Sequence, residues 1–171
     1  MSNNSPQLNM KHPLVILTWV VMLGALWFLF DIVLDRHQNP NRNLSIQPGS
    51  GELVIRSNRA GHYLLPGTIN GERVTFLLDT GATQVSVPAH LQGRLGLTPG
   101  NTMRSMTANG TVTVHATNIN ELVIGPFIFQ NVSGHLNPGF QGDEILLGMS
   151  VLRQLEFTQS GGTLTLRPQG D

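Results

Sequence analysis

The chain has 171 residues and no cysteine, with ten Lys and Arg against ten Asp and Glu, so its formal net charge is zero. This composition excludes disulfides, thiolate catalysis and cysteine-based zinc sites, and it supplies no basic surface for a phosphate backbone. Nucleic acid is therefore not an expected partner. Nineteen Gly and ten Pro indicate many turns, as an all-β domain requires.

An uncharged apolar run covers residues 13–30. As a helix it would be roughly 27 Å long, close to the hydrocarbon thickness of a bilayer. The run predicts a single transmembrane anchor, preceded by an N-terminal arm at 1–12. A cleaved signal peptide would usually have a shorter apolar region and a small-residue cleavage site, but Asp31 to Arg36 follow here. A buried core helix is the other alternative, although no polar residues mark a second face.

Residues 31–50 are predicted to be a linker, because they are mostly polar and lack periodicity. From 51 to 168, short apolar runs alternate with turn signals at a spacing typical of a β-barrel or sandwich. The predicted strands cover 53–55, 62–65, 74–78, 84–87, 103–108, 111–116, 121–124, 127–129, 155–158 and 163–166. Two short stretches, 88–95 and 149–155, are predicted to be helical.

Residues 76–82 read Phe-Leu-Leu-Asp-Thr-Gly-Ala and place Asp79 at the end of an apolar strand. Thr80 supplies a hydroxyl that can lock a turn through a hydrogen bond, and Gly81 permits a backbone conformation that a side chain would forbid. Because 84–87 alternates again as a strand, Asp79 is expected at a bend between two β segments. Asp-x-Gly is also an ordinary turn sequence, so the tripeptide alone does not separate a structural role from a catalytic one.

Three features of the domain occur in the order found in retropepsin-like aspartic proteases. They are two leucines before Asp-Thr-Gly-Ala, an Asn-Gly hairpin signal at 109–110, and Ile-Leu-Leu-Gly at 145–148 before a short helix. The domain therefore resembles that family over about residues 52–168, and it is similar to bacterial membrane-tethered members. The resemblance implies an all-β fold, a closed β-barrel or sandwich with a flap hairpin and one or two short helices, here preceded by a single transmembrane helix. It also implies a bacterial inner-membrane location with the domain in the periplasm.

The resemblance assigns roles to individual residues. Asp79 would be the catalytic acid, and the neighbouring positions would support the turn, form the flap tip or pack beneath the site. The supporting residues are Thr80, Gly81 and Ala82 in the turn, Asn109 and Gly110 at the flap tip, and Leu146, Leu147 and Gly148 beneath the site. Two positions depart from the retroviral pattern, since Thr83 replaces an acid and Met149 replaces an arginine. Both departures put the viral type of dimer contact in doubt.

The implied activity is hydrolysis of a peptide bond by a water molecule held between two carboxylates. The sequence contains one Asp-Thr-Gly, so the second carboxylate would come from Asp79 of another copy in a two-fold symmetric homodimer. A polypeptide substrate is expected, and neither a cofactor nor a metal. The alternative is a catalytically inactive module of the same fold that binds peptide or dimerises at the membrane.

Other candidate groups carry weaker signals. Four histidines of the domain lack metal-ligand spacing and are predicted to be ordinary surface or loop residues; they are His62, His90, His115 and His135. The adjacent acids Asp143 and Glu144 could suggest a glycosidase pair, but they are predicted to lie in a solvated loop. They are also a poor substitute for a second Asp-Thr-Gly turn, because no hydroxyl and glycine follow them.

Overall fold

The computed structural model describes residues 11–42, 44, 51–107 and 110–170. The chain divides into two compact units, Met1–Gln38 and Asn39–Asp171. In the first unit, helix α1 spans Lys11–Gln38 and so extends beyond the apolar run into charged residues at both ends. Within the described part of the chain, no helix is long and apolar enough to cross a membrane. The prediction of a transmembrane helix at 13–30 is therefore not supported.

The second unit is built from β-strands and two short helical turns. The strands are β1 (Leu53–Arg56), β2 (Leu64–Ile69), β3 (Glu72–Leu78), β4 (Val85–Pro88), β5 (Thr102–Thr107), β6 (Gly110–Ile124), β7 (Phe127–Asn137), β8 (Glu144–Leu147), β9 (Leu155–Ser160) and β10 (Thr163–Pro168). A 3-10 turn covers Ala89–Leu91, and helix α2 covers Met149–Leu152.

Six of these strands form a closed barrel. They pair in the order β2-β3-β8-β4-β7-β6, and β6 pairs back onto β2 through Gly67 and Ile124. Strand β5 extends the sheet beyond β6, and β1, β10 and β9 make a separate three-stranded antiparallel sheet. The predicted all-β class and closed barrel are confirmed. Because the ring is closed, each of its six strands is paired with a neighbouring strand on both sides.

The barrel interior is apolar because each strand alternates its side chains across the sheet. Phe76 of β3, Val85 and Val87 of β4, and Ile145 and Leu147 of β8 are all fully buried. The sequence shows this alternation most clearly in the strands that carry the candidate site.

Three elements differ most from the predicted ones. Strand β6 is continuous over fifteen residues where two strands were predicted, and β7 continues to Asn137 although 130–137 shows no strand pattern. The helix predicted over 88–95 is wrong: Pro88 still pairs with Asn137 in the sheet, and only a 3-10 turn follows. Backbone pairing with neighbouring strands outweighs weak local propensity in each case.

Part of the segment that was predicted to be a linker belongs to the second unit and packs within it. Asn41 is buried, and its side-chain Nδ2 donates to the carbonyl oxygens of Arg56 at 2.8 Å and Leu64 at 2.7 Å. Its Oδ1 accepts a hydrogen bond from the Arg56 backbone N–H at 2.9 Å. These three bonds connect Asn41 to β1 and β2, which belong to different sheets.

Candidate active site

Asp79 follows the last residue of β3, next to the parallel strand β8. Leu78 pairs with Leu147, and the Asp79 backbone N–H donates to the Leu147 carbonyl oxygen at 3.2 Å. The apolar strand thus carries the carboxylate to the end of the barrel, where its side chain is half-buried. Strand alternation places it on the same side of the sheet as Leu77, outside the barrel interior.

The carboxylate of Asp79 orders the turn that follows it. Its Oδ1 accepts a hydrogen bond from the Gly81 backbone N–H at 2.8 Å, and its carbonyl oxygen accepts one from the Ala82 N–H at 3.2 Å. A Cβ atom at position 81 would lie 3.1 Å from Asp79 Oδ1, so glycine allows the close approach. Among the described residues, Asp79 forms no ion pair.

The start of α2 braces the other side of the turn. The backbone N–H groups of Met149 and Ser150 donate to the carbonyl oxygens of Ala82 at 2.8 Å and Thr83 at 2.9 Å. Met149 and Thr83 are the two positions that depart from the retroviral pattern. Here the backbones of these two positions take part in the bracing, and this bracing does not depend on side-chain charge.

Gly148 makes this bracing possible. A Cβ atom there would overlap the Gln84 carbonyl oxygen and lie 2.6 Å from the Ala82 carbonyl oxygen. The structure therefore brings Leu147 and Gly148 against the turn, and Leu146 lies on β8 beside Leu77. Thr80 and Gly81 are exposed at its tip, and Ala82 is half-buried.

Strands β5 and β6 form a hairpin at the position where the flap was predicted. Thr107 pairs with Gly110, and its Oγ1 donates to the Gly110 carbonyl oxygen at 2.8 Å. Gly110 has a φ of +110° and lies in β6, one position past the connection between the strands. Asn109, the other predicted tip residue, lies outside the described residues. Met106 is 90% exposed on this hairpin.

Two residues on the Asp79 side of the barrel were missed as candidates. Ser86 of β4 pairs with His135 of β7, and both are buried. The prediction that His135 is a surface or loop residue is wrong, because β7 was not predicted to reach it. Burial lowers the pKa of His135 below its usual value, since desolvation disfavours the charged ring. The sequence did contain a signal for Ser86, because it is a polar residue between two apolar strand residues, Val85 and Val87.

The remaining predicted surface groups are exposed. His62, His90 and His115 are all exposed, as are Asp143 and Glu144. His90 Nε2 lies 3.0 Å from Asp143 Oδ1. Glu144 begins β8, so it is a strand residue, and the loop prediction is wrong for that position.

A cavity of about 730 Å³ opens elsewhere on the second unit, and Asp79 does not line it. Three arginines and two acids are among its lining residues, and they are Arg42, Arg73, Arg94, Asp143 and Glu144. Arg94 Nη1 already donates to the Arg73 carbonyl oxygen at 3.0 Å. Because Asp79 does not line this cavity, we do not place the active site there.

Comparison with known proteins agrees with the fold and the turn. Residues 65–154 match the family described as "gag-polyprotein putative aspartyl protease". The crystal structure of a retropepsin-like aspartic protease from Rickettsia conorii is similar, with a TM-score of 0.58 and 28% identity, over 67% of this chain and 89% of that chain. The family match covers more than half of the chain, which therefore belongs to this family of retropepsin-like aspartic proteases.

Two curated relatives are also similar. An uncharacterized protein from the cobV 5' region of Sinorhizobium sp is 32% identical over 65% of this chain and 49% of its own length. An uncharacterized protein of Rickettsia prowazekii (strain Madrid E) is 31% identical over 62% of this chain and 46% of its own length. The chain thus spans about half the length of the curated relatives it matches. Family and fold support a protease function.

Proposed function

We propose that the protein is an aspartic endopeptidase in which Asp79 residues from two copies of the chain form the catalytic pair. The observation that carries this proposal is the Asp79 turn, whose carboxylate is fixed by the Gly81 N–H and whose backbone is bonded to β8 and α2. Such fixing of a half-buried acid is what a general acid or base requires.

The neighbouring strand of a single copy does not supply a second carboxylate close enough. Glu144 is the acid on the strand adjacent to β3, and it pairs with Thr75. Thr75 precedes Asp79 by four residues, or roughly 13 Å along a strand. A two-fold axis next to the turn would bring a second Asp79 to the first, because symmetry presents the same surface from both copies.

The reaction then follows from the pair sharing one proton. The ionised Asp79 takes a proton from a water molecule, whose oxygen forms a bond to the scissile carbonyl carbon. The protonated Asp79 of the other copy gives its proton to the carbonyl oxygen, which yields a tetrahedral diol. The diol then gives one hydroxyl proton back to a carboxylate while the C–N bond breaks. That carboxylate is the Asp79 that had protonated the carbonyl oxygen, and the Asp79 that had taken the proton from water gives it to the leaving nitrogen. One water is therefore consumed and both carboxylates return to their starting state.

The first test is Asp79→Asn in the full chain, incubated with an unstructured protein between about pH 4 and 7, where carboxylate pairs are active. We expect loss of cleavage, by at least about a thousandfold as for essential acid-base groups, with an unchanged melting temperature. Asp143→Asn is the matched control, because it neutralises an exposed acid (86% exposed) and should leave cleavage unchanged. Cleavage that survives Asp79→Asn would remove Asp79 from the mechanism.

A second test separates a dimeric site from a monomeric one. Wild-type and Asp79→Asn chains are co-refolded in varied proportions, and activity is measured per total chain. If both carboxylates are needed, activity follows the square of the wild-type fraction, so an equal mixture retains about one quarter. A linear dependence would contradict the shared site. Binding of the unstructured protein without products would instead favour the inactive module.

A further inference from the structure

A row of paired residues crosses four strands on the barrel face that carries Asp79. Leu77 of β3 pairs with Leu146 of β8, Leu146 pairs with Ser86 of β4, and Ser86 pairs with His135 of β7. Directly paired residues point to the same side of a sheet. The row therefore starts two residues before Asp79 and reaches Ser86 two strands away, or roughly 10 Å.

The two polar members of this row are deeply buried. Ser86 is 3% exposed and His135 is 8% exposed. Within the described part of the chain, Ser86 Oγ has no hydrogen-bond partner. Burial also keeps the His135 ring neutral near neutral pH by lowering its pKa, so the ring offers one donor and one acceptor.

An ordinary structural role does not explain Ser86 well, because this protein satisfies a comparable hydroxyl on the other side of the sheet. Thr117 of β6 is also buried, and its Oγ1 donates to the Thr98 carbonyl oxygen at 2.9 Å. A buried hydroxyl without a partner is unfavourable. Among the described residues two buried hydroxyls have no partner, those of Ser86 and Tyr63, and Ser86 is the one on the barrel face that carries Asp79.

The inner side of the hairpin continues the same face. Ala116 of β6 pairs with His135. Val114, two residues before Ala116 on β6, is fully buried yet absent from the apolar cluster that fills the barrel. The row from Leu77 to His135 thus runs from the Asp79 turn to the base of the hairpin. A peptide held between the turn and the hairpin would lie across it.

We propose that Ser86 and His135 form the polar base of a substrate side-chain pocket beside Asp79, which accepts a hydrogen-bonding side chain (Asn, Gln, Ser or Thr) in preference to an aliphatic one of similar size. This inference rests on the proposed function. A carboxamide supplies both a donor and an acceptor, so it can pair with the Ser86 hydroxyl and with a neutral imidazole. A leucine in the same pocket would leave both groups unpaired, and sites built for hydrogen bonding reject such analogues strongly.

The test is a cleavage profile of the full-length protein on a mixture of random peptides, with the products identified by mass spectrometry. We expect enrichment of Asn, Gln, Ser or Thr at one position within two residues of the scissile bond. In the double variant Ser86→Ala/His135→Leu, the ratio of kcat/KM for an Asn peptide to that for the matching Leu peptide should fall by at least about tenfold. His135→Gln, which keeps a polar group, should retain most of the preference.

Thr117→Val is the matched control, since it removes a buried hydroxyl from the opposite side of the same sheet and should leave the profile unchanged. A wild-type profile with aliphatic side chains preferred at every position near the scissile bond overturns the pocket, whether or not the double variant folds. An unchanged profile in a folded double variant also overturns it. If the wild type cleaves no more than Asp79→Asn, the proposed function fails, and the pocket fails with it.

Discussion

The Asp79 turn at 79–84 and the hairpin of β5 and β6 are held in place in different ways. Backbone hydrogen bonds between the turn and the segment 147–150 fix the turn on two sides, and glycine is the only residue type that fits at position 148. Strand β5 is paired along β6 alone, and most of its side chains are exposed. Under the proposed function, the difference has a reason: a catalytic group needs a fixed position, whereas a segment that covers a peptide must open to admit it.

The largest effect in this comparison is expected from Gly148→Ala. The new methyl would overlap the Gln84 carbonyl oxygen, and backbone cannot yield as a flexible side chain can. We expect a loss of about 1–3 kcal/mol in the free energy of unfolding, measured by urea denaturation. The displaced turn should also lower kcat by at least about a hundredfold, because small misplacements of a catalytic group are costly.

Gly67→Ala is the control for Gly148→Ala. A Cβ at position 67 would overlap the Val123 carbonyl oxygen and lie 2.6 Å from the Phe76 ring, so the steric conflict is similar but lies in the barrel wall. We expect a similar loss of stability with kcat retained in the folded fraction. Equal losses of kcat in both variants would show that the loss in Gly148→Ala does not come from displacement of the Asp79 turn.

An intermediate effect concerns His135, on the strand between the turn and the hairpin. Its folded-state pKa lies below the ordinary value of 6.5, so between those two values the unfolded chain binds more protons. Its contribution to stability is therefore fully present above pH 6.5 and falls as the pH is lowered towards the folded-state pKa. Urea denaturation across this range should show the free energy of unfolding decreasing towards acid.

The His135→Gln variant isolates this contribution, because all other titrating groups are shared with the wild type. The difference in unfolding free energy between the two proteins should change with pH below 6.5 and stay level above it. A difference that is constant across the range would mean that His135 titrates alike in the folded and unfolded chains.

The smallest effect on stability is expected from Met106→Gln in the hairpin. Met106 is 90% exposed, so replacement should change the free energy of unfolding by less than about 0.5 kcal/mol. If the hairpin covers bound peptide, KM should rise by several-fold while kcat changes little, since apolar contact with the substrate is lost. Ile128→Gln, an exposed change on β7, should leave both constants unchanged. An unaltered KM in Met106→Gln would show that the Met106 side chain does not contact the substrate.

Local patterns were sufficient for much of this protein. The alternation around Val85 and Val87, the apolar run that ends at Asp79 and the Gly-rich turns predicted strands close to those observed, because burial on one face of a sheet imposes a period of two on the sequence. The Asp-Thr-Gly motif and the Ile-Leu-Leu-Gly run are sufficient to indicate the family. That resemblance came from order and spacing along the chain.

Tertiary structure decided the rest. Strand β7 continues through Gly134, His135 and Leu136 because β4 and β6 pair with it on both sides, and this pairing cannot be inferred from a segment with weak propensity. The meeting of Ser86 with His135, which are separated by 49 positions in the sequence, depends on that register. The burial of Asn41 likewise depends on two carbonyl groups from different sheets. Each of these results comes from backbone groups that find partners far along the chain, which no local pattern records.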